Sequence, residues 1–185
     1  MNQQQQIILR NNLTLIGDNM IPKNKYTKGL YSVRTGQGNY SCLPAALITD
    51  DIFKNKRKKY ESQRRRYGFD ERELWSLDYT SYVWLYSHLK ALIEADMVDW
   101  EWKGNFLDSD GEYTEYGKRL IEAGVPNPIS TKAVIDYMIQ RIEEADRLIH
   151  CYDKNDESCE NEKQGYEILA EVFRIYGVLL PELWW

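Results

Sequence analysis

The stretch Asp70–Met97, DERELWSLDYTSYVWLYSHLKALIEADM, decides the fold. Asp70 is a good N-cap, and Glu73 three residues later completes a capping box. From there Leu74, Leu77, Val83, Trp84, Leu85, Leu89, Leu92 and Ile93 recur at helical spacing with no Gly or Pro between them. This predicts one long helix over 71–97 with a broad apolar face. Asp78 sits one turn from Trp75 in otherwise apolar surroundings. It is expected to be semi-buried and paired with a cation from elsewhere in the chain, because a lone buried carboxylate is costly.

Outward from this helix the pattern stays helical. Towards the C-terminus, residues 113–123 form a short helix closed by Gly124, and Val125-Pro126-Asn127-Pro128 is rigid and non-helical. Ser130 or Thr131 caps a helix over 131–151, with Val134, Ile135, Met138, Ile142, Ala145 and Leu148 on one face. Residues 153–161 read as a polar loop. A last helix over 162–180 carries Ile168, Leu169, Val172, Phe173, Tyr176, Leu179 and Leu180 and ends at Pro181. Towards the N-terminus, Pro44 opens a helix over 44–66. Residues 7–16 read as a strand or a bent pair of strands, and residues 29–43 as a hairpin turning at Thr35-Gly36-Gln37-Gly38. The expected fold is mainly α: a bundle of three to four long helices with a small N-terminal β element. Residues 1–53 form a β-containing segment packed on a helical body, 54–185, within one domain.

Composition narrows the functional classes. With 185 residues, 43% hydrophobic and 29% charged, the chain fits one domain with a substantial core and a solvated surface. No run of 18 apolar residues occurs, so no membrane span is expected. The first residues, MNQQQQIILRNN, lack the features of a secretory signal. Three cysteines, Cys42, Cys151 and Cys159, without a CxxC pair, argue for reduced thiols and against a thiolate zinc site. The histidines, His88 and His150, lack the spacing of a metal site; no cofactor and no metal are expected. No P-loop, nucleophile-elbow, zincin or dinucleotide fingerprint is present. The Glu143-Glu144-x-Asp146 cluster resembles a pyrophosphohydrolase motif only superficially, because the second acidic pair is missing.

The charge is unevenly spread. Residues 1–66 carry 13 Lys/Arg and 4 Asp/Glu, a net of +9, and residues 67–185 carry 11 and 25, a net of −14, which together give −5. Such polarity suits self-association into a homo-oligomer or one charged partner. The cations peak in KNKRKKYESQRRR, where Lys54, Lys56, Arg57, Lys58, Lys59, Arg64, Arg65 and Arg66 form a candidate surface for nucleic acid or a protein partner. Tyr60 and Tyr67 are placed to stack on bases. The competing reading is a solvated face that complements the acidic half. Leu183-Trp184-Trp185 is an unusually apolar ending, and Trp184 and Trp185 are a candidate interface unless they fold back.

Residues 64–92, RRRYGFDERELWSLDYTSYVWLYSHLKAL, resemble a motif of uncharacterised tailed-bacteriophage proteins. The likeness rests on a basic lead-in, Gly68-Phe69, an acid at Glu73, then Trp75 and Leu77-Asp78. VIDYMI (134–139) and QGYEILAEVFRIYGVLLPELWW (164–185) resemble that family's later elements. The likeness spans roughly 57–185 with an insertion near 103–129, and Ser87-His88 stands where the family has Pro-Arg. Trp75, Asp78 and His88 mark the motif core here. The resemblance implies a phage accessory protein acting in the cytoplasm of the infected bacterial host. It implies no known reaction; the function expected beside it is binding rather than catalysis, engaging a host or phage macromolecule in counter-defence or host takeover. A metal-dependent enzyme on nucleic acid or nucleotides and a virion component are the alternatives.

Overall fold

The computed structural model describes residues 25–35, 56–67, 69–71, 73–95, 106–150 and 158–183. Six α-helices run in order among them: α1 (Tyr31–Thr35), α2 (Arg57–Tyr67), α3 (Leu77–Glu94), α4 (Glu115–Ala123), α5 (Thr131–His150) and α6 (Ser158–Leu179). Single turns of 3-10 helix lie at Lys25–Thr27, Glu73–Ser76 and Leu180–Leu183. No strand occurs among the described residues. Their nearest approach to one is an isolated antiparallel bridge, Leu107 to Tyr113, around a turn in which Gly111 takes φ +83°.

The long helices form where the apolar spacing places them, with local chemistry setting their ends. Ahead of α3, Glu73 reaches back to accept from the Asp70 N–H at 3.3 Å, the return arm of the capping box. A 3-10 turn intervenes before α3 begins at Leu77. The Thr114 hydroxyl caps α4 by accepting from the Gly117 N–H. Gly124 closes α4 at φ 120°, a left-handed conformation natural to glycine. Ser130, rather than Thr131, caps α5 through the Ala133 N–H at 3.1 Å. α6 starts at Ser158, so part of the expected polar loop is already helical.

α5 and α6 make the most extensive contact, and α3 packs across α5. Val134, Ile135, Met138 and Ile142 of α5 join Val172, Ile175 and Leu179 of α6 in one buried core. Where α6 crosses α5 only a glycine fits. A Cβ on Gly165 would sit 2.6 Å from Ile149 Cγ1 and 3.0 Å from the Ala145 carbonyl oxygen.

Two expectations are corrected here. Within residues 29–35, expected as the first arm of a hairpin, Tyr31–Thr35 is helical. The Ser32 N–H and hydroxyl bind an acid on α5, and the Thr35 hydroxyl bonds back to the Tyr31 carbonyl, so this backbone has local and interior partners in place of a strand. Residues 7–16, 36–43 and the first part of the 44–66 helix lie outside the described residues. The core face of α3 matches the expected one only in part: Val83, Leu85 and Leu89 are buried as expected, and Leu92 and Ile93 pack against the core. Tyr79, Tyr82 and Tyr86 are buried as well, while Leu74, Leu77 and Trp84 face solvent.

Candidate functional site

Two groups of charged and aromatic side chains stand out, one inside the bundle and one on its surface. The interior group centres on Asp146, fully buried on α5. Its Oδ2 accepts from the Ser32 N–H at 2.8 Å, and its Oδ1 accepts from the Ser32 hydroxyl at 2.5 Å and the Tyr82 hydroxyl at 2.8 Å. Because the Ser32 proton is committed to Asp146, the Tyr79 hydroxyl donates to Ser32 Oγ, 3.1 Å away. His150, one turn along α5, donates from Nδ1 to the Asp146 carbonyl at 3.0 Å, and its ring meets Tyr79 edge-on. Burial, then the charge of Asp146, pushes the Tyr82 hydroxyl well above the ordinary tyrosine range. Beside it the Tyr86 hydroxyl donates to Glu143 at 2.5 Å, and burial followed by that bond raises its pKa as well. Gly29 lies so close to this pair that a Cβ there would collide with both. The cluster fastens α1 to α3 and α5. Its donors and acceptors are turned on one another, which is the geometry of a structural anchor.

The surface group is α2 and the turn after it. Lys56, Lys58, Lys59, Arg65 and Arg66 are exposed; Lys54 and the side chains of Arg57 and Arg64 lie outside the described residues. Lys59 pairs with Glu71 at 2.7 Å, and Gln63 bonds both the side chain and the N–H of Glu71, so the turn folds back on one flank of the helix. That contact, with Lys59 as its main cause, holds the Glu71 carboxyl below its usual range. The other flank carries an open groove of about 520 Å³ lined by Lys58, Glu61, Ser62, Arg65 and Arg66. Among the described residues of its lining, three cations against one acid leave a net +2. Arg66 also places its guanidinium 5.3 Å over the Tyr67 ring. Tyr67 in turn adjoins Phe69, with ring centroids 6.2 Å apart and planes tilted by 33°. Both rings are open to solvent, Tyr67 at 55% and Phe69 at 41%. Tyr60, expected beside them, is buried at 5% and belongs to the interior.

The remaining sequence-derived candidates fall elsewhere. Asp78 is exposed and accepts from the Tyr166 hydroxyl at 2.8 Å, so the semi-buried carboxylate with a cationic partner is not found there. Its position one residue into α3 turns it outward, towards α6. Among the described residues Asp70 and Asp146 are the fully buried acids, and Asp146 is the one the spacing flags: it falls among Ile142, Ala145 and Ile149 on the buried face of α5. His88 is exposed, stacks on Trp84 at 4.3 Å and donates from Nδ1 to the Trp84 carbonyl at 2.7 Å. With Trp84, Leu92, Ala95 and Tyr176 it lines an apolar groove of about 420 Å³ between α3 and α6. Trp75 lies in the 3-10 turn before α3, and its side chain, like Trp184 and Trp185, is outside the described residues. Phe69 was missed, although Tyr67-Gly68-Phe69 places a second aromatic directly after the basic run. Among the described residues no group of three or more His, Cys, Asp and Glu is placed to hold a metal ion. No described helix is long and apolar enough to cross a membrane.

No protein-family model, no curated protein and no solved structure matches this chain.

Proposed function

We propose that this chain is a non-catalytic nucleic-acid-binding protein that works through α2. The observation that carries the reading is the open cationic groove of Lys58, Arg65 and Arg66, joined through Arg66 to an exposed aromatic pair. Seven residues of helix separate Lys58 from Arg65, a spacing of about 10 Å along the axis. Cations at that interval on one flank can neutralise successive phosphates whatever the base sequence. The resemblance to phage proteins supports a place for this activity: an accessory protein in the cytoplasm of an infected bacterium, engaging phage or host nucleic acid during takeover or counter-defence. The acidic remainder of the chain keeps binding to the α2 side and favours contact with a protein partner or a second copy.

The test is a fluorescence-anisotropy titration with a labelled oligonucleotide at several salt concentrations. Affinity should fall steeply, with a log–log slope of roughly −0.7 per phosphate contacted on a single strand or −0.9 on a duplex. Absence of binding at low salt, or an affinity indifferent to salt, would overturn the proposal.

A further inference from the structure

Resting on that reading of α2, we infer that the preferred ligand is single-stranded nucleic acid, with Tyr67 and Phe69 as the platform on which its bases stack. A duplex keeps its base faces covered and offers α2 only phosphates, whereas a single strand offers both. The surface matches the second kind of ligand. Tyr67 and Phe69 expose large apolar rings next to a strongly cationic helix, where water alone would favour polar side chains. Their centroids, 6.2 Å apart and tilted by 33°, leave the rings as two adjoining steps rather than a closed sandwich. Arg66 lies over Tyr67, so a base arriving at the platform brings its phosphate towards the same guanidinium, and Arg65 and Lys58 continue the charge along α2. Glu61 lines the groove as well and sets its polarity, holding the backbone to the cationic side. The two rings flank Gly68 in sequence, and this segment is tied to α2 by the Lys59–Glu71 and Gln63–Glu71 bonds. Platform and charge therefore keep a fixed relation before ligand arrives. Stacking is indifferent to base identity because every base has a π-face, so little sequence preference is expected. The sugar is not read by either ring, so oligothymidylate and oligouridylate should bind alike.

The experiment compares labelled oligothymidylate and oligouridylate of about 12 nucleotides, a duplex and an abasic strand of the same phosphate number. The full-length protein is titrated with each at one salt concentration. The inference predicts the two single strands bound at least about five-fold more tightly than the abasic strand, and more tightly than the duplex. Tyr67→Ala and Phe69→Leu should each lower affinity for the single strands by about five-fold or more and leave the abasic strand unchanged, whereas Tyr67→Phe should retain binding. Both rings are exposed, and Phe69→Leu keeps an apolar side chain, so a thermal melt matching the parent confirms that the fold is intact. Equal binding of all four ligands with unaffected ring variants would overturn the stacking platform while leaving α2 as a phosphate-binding helix. Binding of none of them would overturn the α2 reading itself.

Discussion

Around Asp146 a negative charge is held inside the bundle by donors that come from α1 and α3, and the groups that meet it are themselves hydrogen-bonded. Along the groove of α2 the positive charges stand in water, with Glu61 as the one acid among the described residues of its lining. The two regions put charge to opposite uses. A buried, saturated carboxylate ties distant segments together and is expensive to disturb. Solvated charges on a helix contribute little to holding the fold, so the exposed cations of α2 are free to serve a ligand. Substitutions should therefore separate the two regions cleanly, with stability responding in one and binding in the other.

The largest effect is expected at Asp146. Asp146→Ala strands the Ser32 N–H and the Ser32 and Tyr82 hydroxyls inside the protein, at a cost of about 3 kcal/mol or more. For a chain of this size that lowers the melting temperature by roughly 6–12 °C. Asp78→Ala, one helix away and exposed, should stay within about 0.5 kcal/mol. Equal effects at the two acids, measured by thermal or urea melts, would erase the distinction between them.

That pair of acids also shows what was legible in the sequence. α3, α4, α5 and α6 could be read from apolar spacing and from the capping residues Asp70, Gly124 and Ser130, because those signals are local. The face of α3 could be read only in part. Hydropathy favours Leu74, Leu77 and Trp84 over Tyr79, Tyr82 and Tyr86 for the interior. The tyrosines go inside because Ser32, Asp146 and Glu143 wait for their hydroxyls, and those partners lie 47 to 64 residues away. The same dependence on distant partners turned residues 31–35 of the expected hairpin arm into helix. On the surface, the basic run was plain in sequence. Tyr60 and Phe69 were not, since which of two nearby rings is buried depends on what covers it.

The next effect concerns two glycines of one helix. In α6 a Gly→Ala change ordinarily stabilises by about 0.5–1 kcal/mol. At Gly177, where an added Cβ meets nothing within 4 Å, that gain should appear. At Gly165 the Cβ would press on Ile149 and on the Ala145 backbone, so Gly165→Ala should instead destabilise by about 1–3 kcal/mol. Opposite signs in chemical denaturation would sharpen the picture of a tight α5–α6 crossing. Matching signs would break it.

A smaller effect is expected at Tyr82. Its folded pKa is raised above the unfolded value near 10, so its contribution is whole below pH 10. It is lost as pH climbs from there, because the unfolded state releases the proton first. Tyr82→Phe should cost about 1 kcal/mol at neutral pH and flatten the decline in stability above pH 10. A variant with the parent's alkaline profile would mean that the decline arises at other tyrosines.

The smallest effect on stability, and the largest on binding, belongs to α2. The triple change Lys58→Glu, Arg65→Glu and Arg66→Glu reverses the charge of the groove and leaves the Asp146 anchor untouched. The direct test is to take this one variant through a thermal melt and a salt-controlled anisotropy titration with single-stranded oligonucleotide. The account predicts a melting temperature within about 2 °C of the parent together with loss of binding at every salt concentration. Retained binding, or a lost fold with no oligonucleotide bound by the parent protein, would contradict it.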